Sequence, residues 1–218
     1  SMLIAAINPN SNQAVTDGMV EALKLFSVAG NPKIECITLA EGPFGIESQA
    51  DVDSVALPLM RMVKQRSDVD AFIIACYSDP GLHVCREATD KPVFGIQECG
   101  ILTALSQGDR FGVIAIADVS IKRHLRYIRQ MGVTERMANE RAVNLSVHES
   151  ATGSQTFTRL CEVGMELRDL DGAETVILGC AGMATHRAPL AEYLGIPVID
   201  PVQAATSMAI GAVLLNSN

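Results

Sequence analysis

This chain has no tryptophan and only 4% aromatic residues, so it lacks the stacking platforms on which single-stranded nucleic acids are held. Its 17 Lys and Arg are outnumbered by 25 Asp and Glu, for a formal charge of −8, and the basic residues form no cluster. Nucleic acid and anionic membrane surfaces are therefore poor partners. No apolar run approaches the ~20 residues of a membrane span. The opening residues enter a β-rich run at once, without the basic and apolar regions of a signal peptide. GxGxxG, GxxxxGK, HExxH and GxSxG patterns are all missing, so dinucleotide, nucleoside-triphosphate, zinc-protease and serine-hydrolase readings find no support. The 6 cysteines show no CxxC spacing. They read as the reduced thiols of a cytoplasmic protein, not as a disulfide scaffold or a metal site.

What is present is an ordinary α/β composition, 48% hydrophobic with 17 Gly and 9 Pro over 218 residues, enough to bury a sound core. Short β-rich runs alternate with amphipathic stretches from end to end, the mark of parallel α/β architecture. Strands are expected at Leu3–Asn8, Lys33–Leu39, Ala71–Cys76 and Val93–Ile96, then at Phe111–Ala117, Ala142–Val147, Thr175–Cys180 and Val198–Ile199. Ser11 is a candidate cap for a helix carrying Val15, Met19, Leu23 and Phe26. Val52, Val55, Leu59, Met62 and Val63 mark the next helix, and Ile121, Leu125, Ile128 and Met131 mark one in the second half. Ser154 is placed to cap a helix with Phe157, Leu160, Cys161 and Met165, and Ala204–Leu215 reads as a packed last helix. The junction near Gly100–Gln107 reads as helix and not as a flexible tether.

Within this pattern the two halves repeat each other. Asp70-Ala-Phe-Ile-Ile-Ala-Cys76 is followed sixteen residues after the cysteine by Pro92-Val93, and Glu174-Thr-Val-Ile-Leu-Gly-Cys180 seventeen residues after by Pro197-Val198. Ligands of such units bind beyond the carboxyl ends of the strands. That edge holds the loops Asn8-Pro9-Asn10-Ser11, Gly42–Gly45, Cys76–Gly81, Ala117–Ser120 and Cys180–Met183. A single free cysteine is usually a small buried hydrophobe, and Cys36, Cys85, Cys99 and Cys161, inside expected strands or helices, are read that way. Cys76 and Cys180 differ. Each ends a strand before small or turn-forming residues, where free backbone N–H groups favour a thiolate and can hold an oxyanion. Opposed thiols across a cleft suit moving a proton from one face of a carbon to the other. His83 lacks further ligands at metal spacing, His186 either shapes the site or is solvated, and His148-Glu149 closes a strand in a structural role.

Ile7-Asn-Pro-Asn-Ser11, Gly42-Pro43 with Gly45-Ile46-Glu47, Cys76-Tyr-Ser-Asp-Pro-Gly-Leu82, Pro92-Val-Phe-Gly-Ile-Gln-Glu98 and Leu178-Gly-Cys-Ala-Gly-Met183 together resemble the aspartate/glutamate/hydantoin racemase superfamily, in particular its hydantoin and allantoin racemase branch. The resemblance implies an α/β fold of two pseudo-symmetric lobes, each a four-stranded mainly parallel sheet flanked by helices, with the active site between them. It implies a first lobe of 1–100 plus 204–218, a second of 101–203, no metal or organic cofactor, a small-molecule substrate and a homo-oligomer. It gives Cys76 and Cys180 the acid and base roles. Amino-acid racemases of the superfamily tend to carry Cys-Asn-Thr and Cys-Thr-His where this chain has Cys76-Tyr77-Ser78 and Cys180-Ala181-Gly182, which shifts the expected substrate from a zwitterion to a neutral cyclic ureide.

On that reading the N–H groups around Tyr77–Ser78 and Ala181–Gly182, with the Ser78 hydroxyl, receive an enolate oxygen. Asn8 binds the ureide edge, because an amide offers both donor and acceptor. Phe44, Tyr77, Met183 and Ile121 shape the pocket, and Asp79 and Ser120 belong to its loops. Other uses of the same scaffold stay open: amino-acid racemisation, maleate cis–trans isomerisation by thiolate addition, arylmalonate decarboxylation, for which Cys76 is superfluous, or a binding module with inert cysteines.

Overall fold

The computed structural model describes residues 1–217, with Val147, Ala151 and Thr152 as backbone only. The first half runs β1 (Leu3–Asn8), α1 (Gln13–Leu23), β2 (Lys33–Thr38), α2 (Gln49–Ser54), α3 (Ala56–Gln65), β3 (Ala71–Ile74), α4 (Leu82–Ala88), β4 (Val93–Gly95) and α5 (Ile96–Leu105). The second runs β5 (Phe111–Ala115), α6 (Asp118–Met131), β6 (Met137–Ala142), α7 (Val147–Thr152) and α8 (Thr156–Asp169). It continues through β7 (Thr175–Leu178), a short 3₁₀ helix (Ala181–His186), α9 (Arg187–Leu194), β8 (Val198–Ile199) and α10 (Pro201–Asn216). The strands form two parallel sheets of identical order, β2-β1-β3-β4 and β6-β5-β7-β8. Two copies of one topology stand side by side.

The central strands are apolar throughout because helices cover both of their faces. In β1 Ile4-Ala5-Ala6-Ile7 is fully buried, as are Ala71–Ile74 of β3 and Thr175–Leu178 of β7. One contiguous apolar core joins the sheets: Ile4, Ala6 and Ile73 from the first, Ile101 of α5 and Ala205 of α10, then Val113 and Val176 from the second. A smaller cluster fills the far side of the first sheet around Ile7, Leu59 and Phe72. Where α5 crosses α10 the backbones come close, and a Cβ on Gly100 would lie 3.2 Å from the Pro201 side chain. The α10 helix also reaches the first lobe, Gln203 Nε2 donating to the Ala22 carbonyl at 2.9 Å.

Several elements differ from the sequence reading, each for a local reason. The expected strand Ala142–Val147 is displaced to Met137–Ala142. This edge strand is half-exposed and carries Glu140 and Arg141, so it shows no apolar run. The strand ends because Asn144 turns left-handed (φ 58) and its side chain accepts from the Asp118 N–H. His148-Glu149 accordingly sits in α7, whose first turn is closed by a reciprocal cap between Ser146 and Glu149. Asn12, not Ser11, caps α1. Gln155, not Ser154, precedes α8; Thr156 Oγ1 donates there to the Glu149 carbonyl instead. The helix over Val52–Val63 is two helices meeting at Val55, with Pro58 in the first turn of α3 where no N–H is needed.

Candidate active site

Cys76 and Cys180 each lie two residues beyond β3 and β7, the strands that pair with the central β1 and β5 of their sheets. Equal placement in two facing copies brings both thiols onto the wall of one cleft, with about 530 Å³ of empty space including its mouth. Asn10, Ala75, Tyr77 and Ser78 come to it from the first lobe, and Ile116, Ser120, Arg123, Gly179 and Ala181 from the second. Glu47 stands exposed in the same wall. A pocket of this size, largely apolar with a few convergent polar groups, suits a small molecule.

The thiols are held by the chain that follows them. Cys180 is buried, begins the 3₁₀ helix, and its Sγ accepts from the Gly182 N–H at 3.4 Å. Ser150 Oγ of α7 is 3.8 Å away. The Ser78 N–H is directed at the half-buried Cys76. Donors expected to favour thiolates are thus in place, yet burial outweighs them. It pushes the Cys76 thiol up to about 12, helped by the charge Cys180 would carry and opposed by the Ser78 N–H and the Arg123 guanidinium. Burial likewise raises Cys180, against the Gly182 and Ser150 bonds. Burial thus opposes the thiolate that the Ser78 and Gly182 N–H groups favour. Because each sulfur's charge disfavours the other's, one thiolate facing one thiol is the ionised state the cleft tolerates best.

The remaining expected residues divide into two groups. Tyr77, Ser78, Ser120 and Ala181 line the cleft with both cysteines. Tyr77 stands edge-on to His124, ring centroids 5.0 Å apart, and its hydroxyl has no hydrogen-bond partner among the described residues. Asn8 does not reach the cleft: its amide is buried inside the loop, donating to Asn10 Oδ1 at 2.8 Å and Thr16 Oγ1 at 3.0 Å and accepting from the Asn10 N–H. Asn10 occupies the wall in its place. Asp79 turns away to the N-terminus of α5, accepting from the Gln97 and Glu98 N–H groups at 2.9 Å each. Phe44 is 56% exposed and stacks beside His148, 5.2 Å between ring centroids. His148 also meets Asn12 at 3.1 Å, which sets α7 against the loops of the first lobe. Gly182 is committed to Cys180, and Met183 is fully buried in the core.

The sequence reading missed Asn10, Glu47, Arg123 and His124. Their signal was faint: on α6 the fully buried stripe is Ser120, Arg123, His124 and Ile128, while Ile121 and Leu125, the apolar positions that defined the expected face, are only half-buried. His124 forms a very short buried contact with Glu140 of β6. The helix turns a polar stripe inward, which a hydrophobic period cannot reveal.

Comparison with known proteins fits this geometry. The Asp/Glu/Hydantoin racemase family model matches residues 4–209. The hydantoin racemase of Paenarthrobacter aurescens is 36% identical over 221 residues, spanning 98% of this chain and 92% of that protein. The hydantoin racemase of Pseudomonas sp. (strain NS671) is 36% identical over 95% of this chain and 84% of its own length. Among solved structures, allantoin racemase from Klebsiella pneumoniae superposes with a TM-score of 0.94 at 30% identity, covering 99% of this chain and 89% of that one. The chain belongs to the Asp/Glu/hydantoin racemase family and is an isomerase of the racemase kind.

Proposed function

We propose that the chain racemises 5-substituted hydantoins or allantoin by passing a proton between Cys76 and Cys180. The observation that carries this reading is the arrival of both thiols, from equivalent places in two lobes, on one small cleft. One sulfur, as thiolate, removes the proton from the stereogenic carbon beside a ring carbonyl. The other, as thiol, returns a proton to the opposite face. The thiols then exchange roles, so the next molecule is processed in the reverse sense. A general base works best with its pKa near the operating pH, so the Ser78 and Gly182 N–H groups and the Arg123 guanidinium, which oppose the upward push of burial on the two thiols, serve the proton transfer.

The names of relatives support a ureide over an amino acid, and Asn10, its Oδ1 taken by Asn8 and the Asn12 N–H, turns its amide NH₂ donors to a ureide carbonyl. Placement of 204–218 with 1–100, against 101–203, a homo-oligomeric assembly and residence in a reducing cytoplasm complete the proposal. Chiral chromatography of allantoin, 5-substituted hydantoins, aspartate, glutamate and maleate after incubation with the protein tests it. Racemisation of at least one ureide is expected, and turnover of aspartate alone would overturn the substrate assignment.

A further inference from the structure

A buried cation lies against the thiols with no acid in contact with it among the described residues, although the buried Glu140, held by His124, feels its charge. Arg123 is 5% exposed, yet no carboxylate lies within 4 Å of its guanidinium among the described residues. Its partners are hydroxyls: Nε donates to Ser78 Oγ at 3.0 Å across the cleft, and Nη2 reaches Ser120 Oγ at 3.5 Å. Nη1 has no protein partner among the described residues. A buried charge without a directly paired counter-ion is costly, and Glu140, already committed to His124, offsets it only from a distance, so negative charge arising in the site itself is favoured.

In a two-thiol cleft that negative charge is mobile. When the thiolate takes the proton, the C–H bond breaks, an S–H bond forms, and the freed electron pair moves through the carbonyl to its oxygen as an enolate. When the opposite thiol returns a proton to carbon, the charge comes back to sulfur. One unit of negative charge is present throughout, on sulfur, then oxygen, then sulfur. The backbone N–H groups best placed to receive the oxygen are already engaged, that of Gly182 on Cys180 and that of Ser78 on Cys76. Left over are the Ser78 hydroxyl proton, freed because Ser78 Oγ accepts from Arg123, and the unpaired edge of the guanidinium.

We propose that Arg123 is a catalytic residue that, together with the Ser78 O–H, receives the enolate oxygen of the ureide. The inference rests on the ureide-racemase reading above. A charge-assisted donor fixed in a buried site stabilises a developing oxyanion more than the neutral carbonyl it comes from, so the effect belongs in kcat.

The test uses 5-methylhydantoin and allantoin, neither of which carries a charged side group for the arginine to hold in the ground state. Arg123→Gln is expected to lower kcat by about 10²–10³-fold with KM changed only a few-fold. Arg123→Lys keeps the charge but not the fork and is expected to fall between Arg123→Gln and the natural enzyme, while Ser78→Ala lowers kcat in the same direction. Melting curves of each variant report folding; if Arg123→Gln does not fold, the Lys and Ser78→Ala variants decide. Unchanged kcat, or a loss confined to KM, overturns the inference. If the natural enzyme turns over no ureide, the substrate reading fails and takes this one with it; activity with an unaffected Arg123→Gln sinks this one alone.

Discussion

The two lobes share a strand order but cap the helix after their last strand in opposite ways. In the second lobe Asp200 follows Val198-Ile199 and is itself the cap of α10, Oδ2 accepting from the Gln203 N–H at 2.9 Å. At the matching place, the last residue of β4, the first lobe has Gly95. Its helix α5 is capped from a distance by Asp79, three residues beyond Cys76. A Cβ on residue 95 would fall 2.3 Å from Asp79 Cγ, so glycine there leaves room for a carboxyl delivered by the cysteine loop. The second lobe carries Met183 at the position matching Asp79 and takes its carboxyl from the cap. Burial pushes both carboxyls up to about 7. A carboxyl over this helix N-terminus is present in both lobes, but only in the first does it anchor the loop behind the thiol.

If the repeat is chemical as well as architectural, each thiol is needed equally despite this difference. Cys76→Ser and Cys180→Ser should each lower racemisation by about 10²–10⁴-fold, the usual contribution of a general acid or base, as read by chiral chromatography. Each variant should still exchange the ring proton of one enantiomer with deuterium from solvent, and the two variants should prefer opposite enantiomers. Full racemisation by either variant breaks the symmetry.

The capping comparison can be broken by moving the carboxyl. Gly95→Asp alone forces a side chain against Asp79 and should destabilise by about 1–3 kcal/mol in a denaturant titration, as overpacking does. Asp79→Ala alone should cost about 1 kcal/mol through the lost cap. Together they recreate the second lobe's arrangement, so the double variant should be more stable than the sum of the single losses predicts. Simple additivity would mean that Asp79 acts at α5 other than by filling the place of a side chain at residue 95.

Much of this architecture was legible because buried parallel strands are written as apolar runs: β1, β5 and β8 begin where the sequence places them, and the repeat around Cys76 and Cys180 survives as their shared place beyond β3 and β7. Edge strand β6 was missed because it is half-exposed, carries Arg141 and buries the charged Glu140 instead of an apolar side chain. The cleft was legible by its loops, not by its walls. Asn8 and Asp79 sit on the right loops, yet their side chains bond to nearby backbone and amide groups, a choice of rotamer and partner that no spacing records. Arg123 falls between the apolar positions that mark its helix, and only the facing lobe shows what it is buried against.

The smallest expected effect separates the electrostatics of the two thiols. Cys76 is the more exposed and has the Arg123 guanidinium nearby, set against the Cys180 sulfur and the Asp79 carboxyl, whereas the charged groups other than the facing sulfur that act on Cys180 are the carboxyls of Asp200 and Glu47. Cys76 is half-buried and Cys180 buried, so on access iodoacetamide should modify Cys76 ahead of Cys180, each through its thiolate, as followed peptide by peptide by mass spectrometry. Because burial holds Cys76 near 12, its rate should rise about tenfold per pH unit from 7 to 10 without levelling, whereas an unperturbed thiol levels off above its pKa of about 8.5. Arg123→Gln removes the attraction that distinguishes the two sites and should slow Cys76 while leaving Cys180 unchanged. A plateau near pH 8.5, or Cys180 reacting first, would show that the surroundings of the two sulfurs do not set their reactivity in the way their neighbours imply.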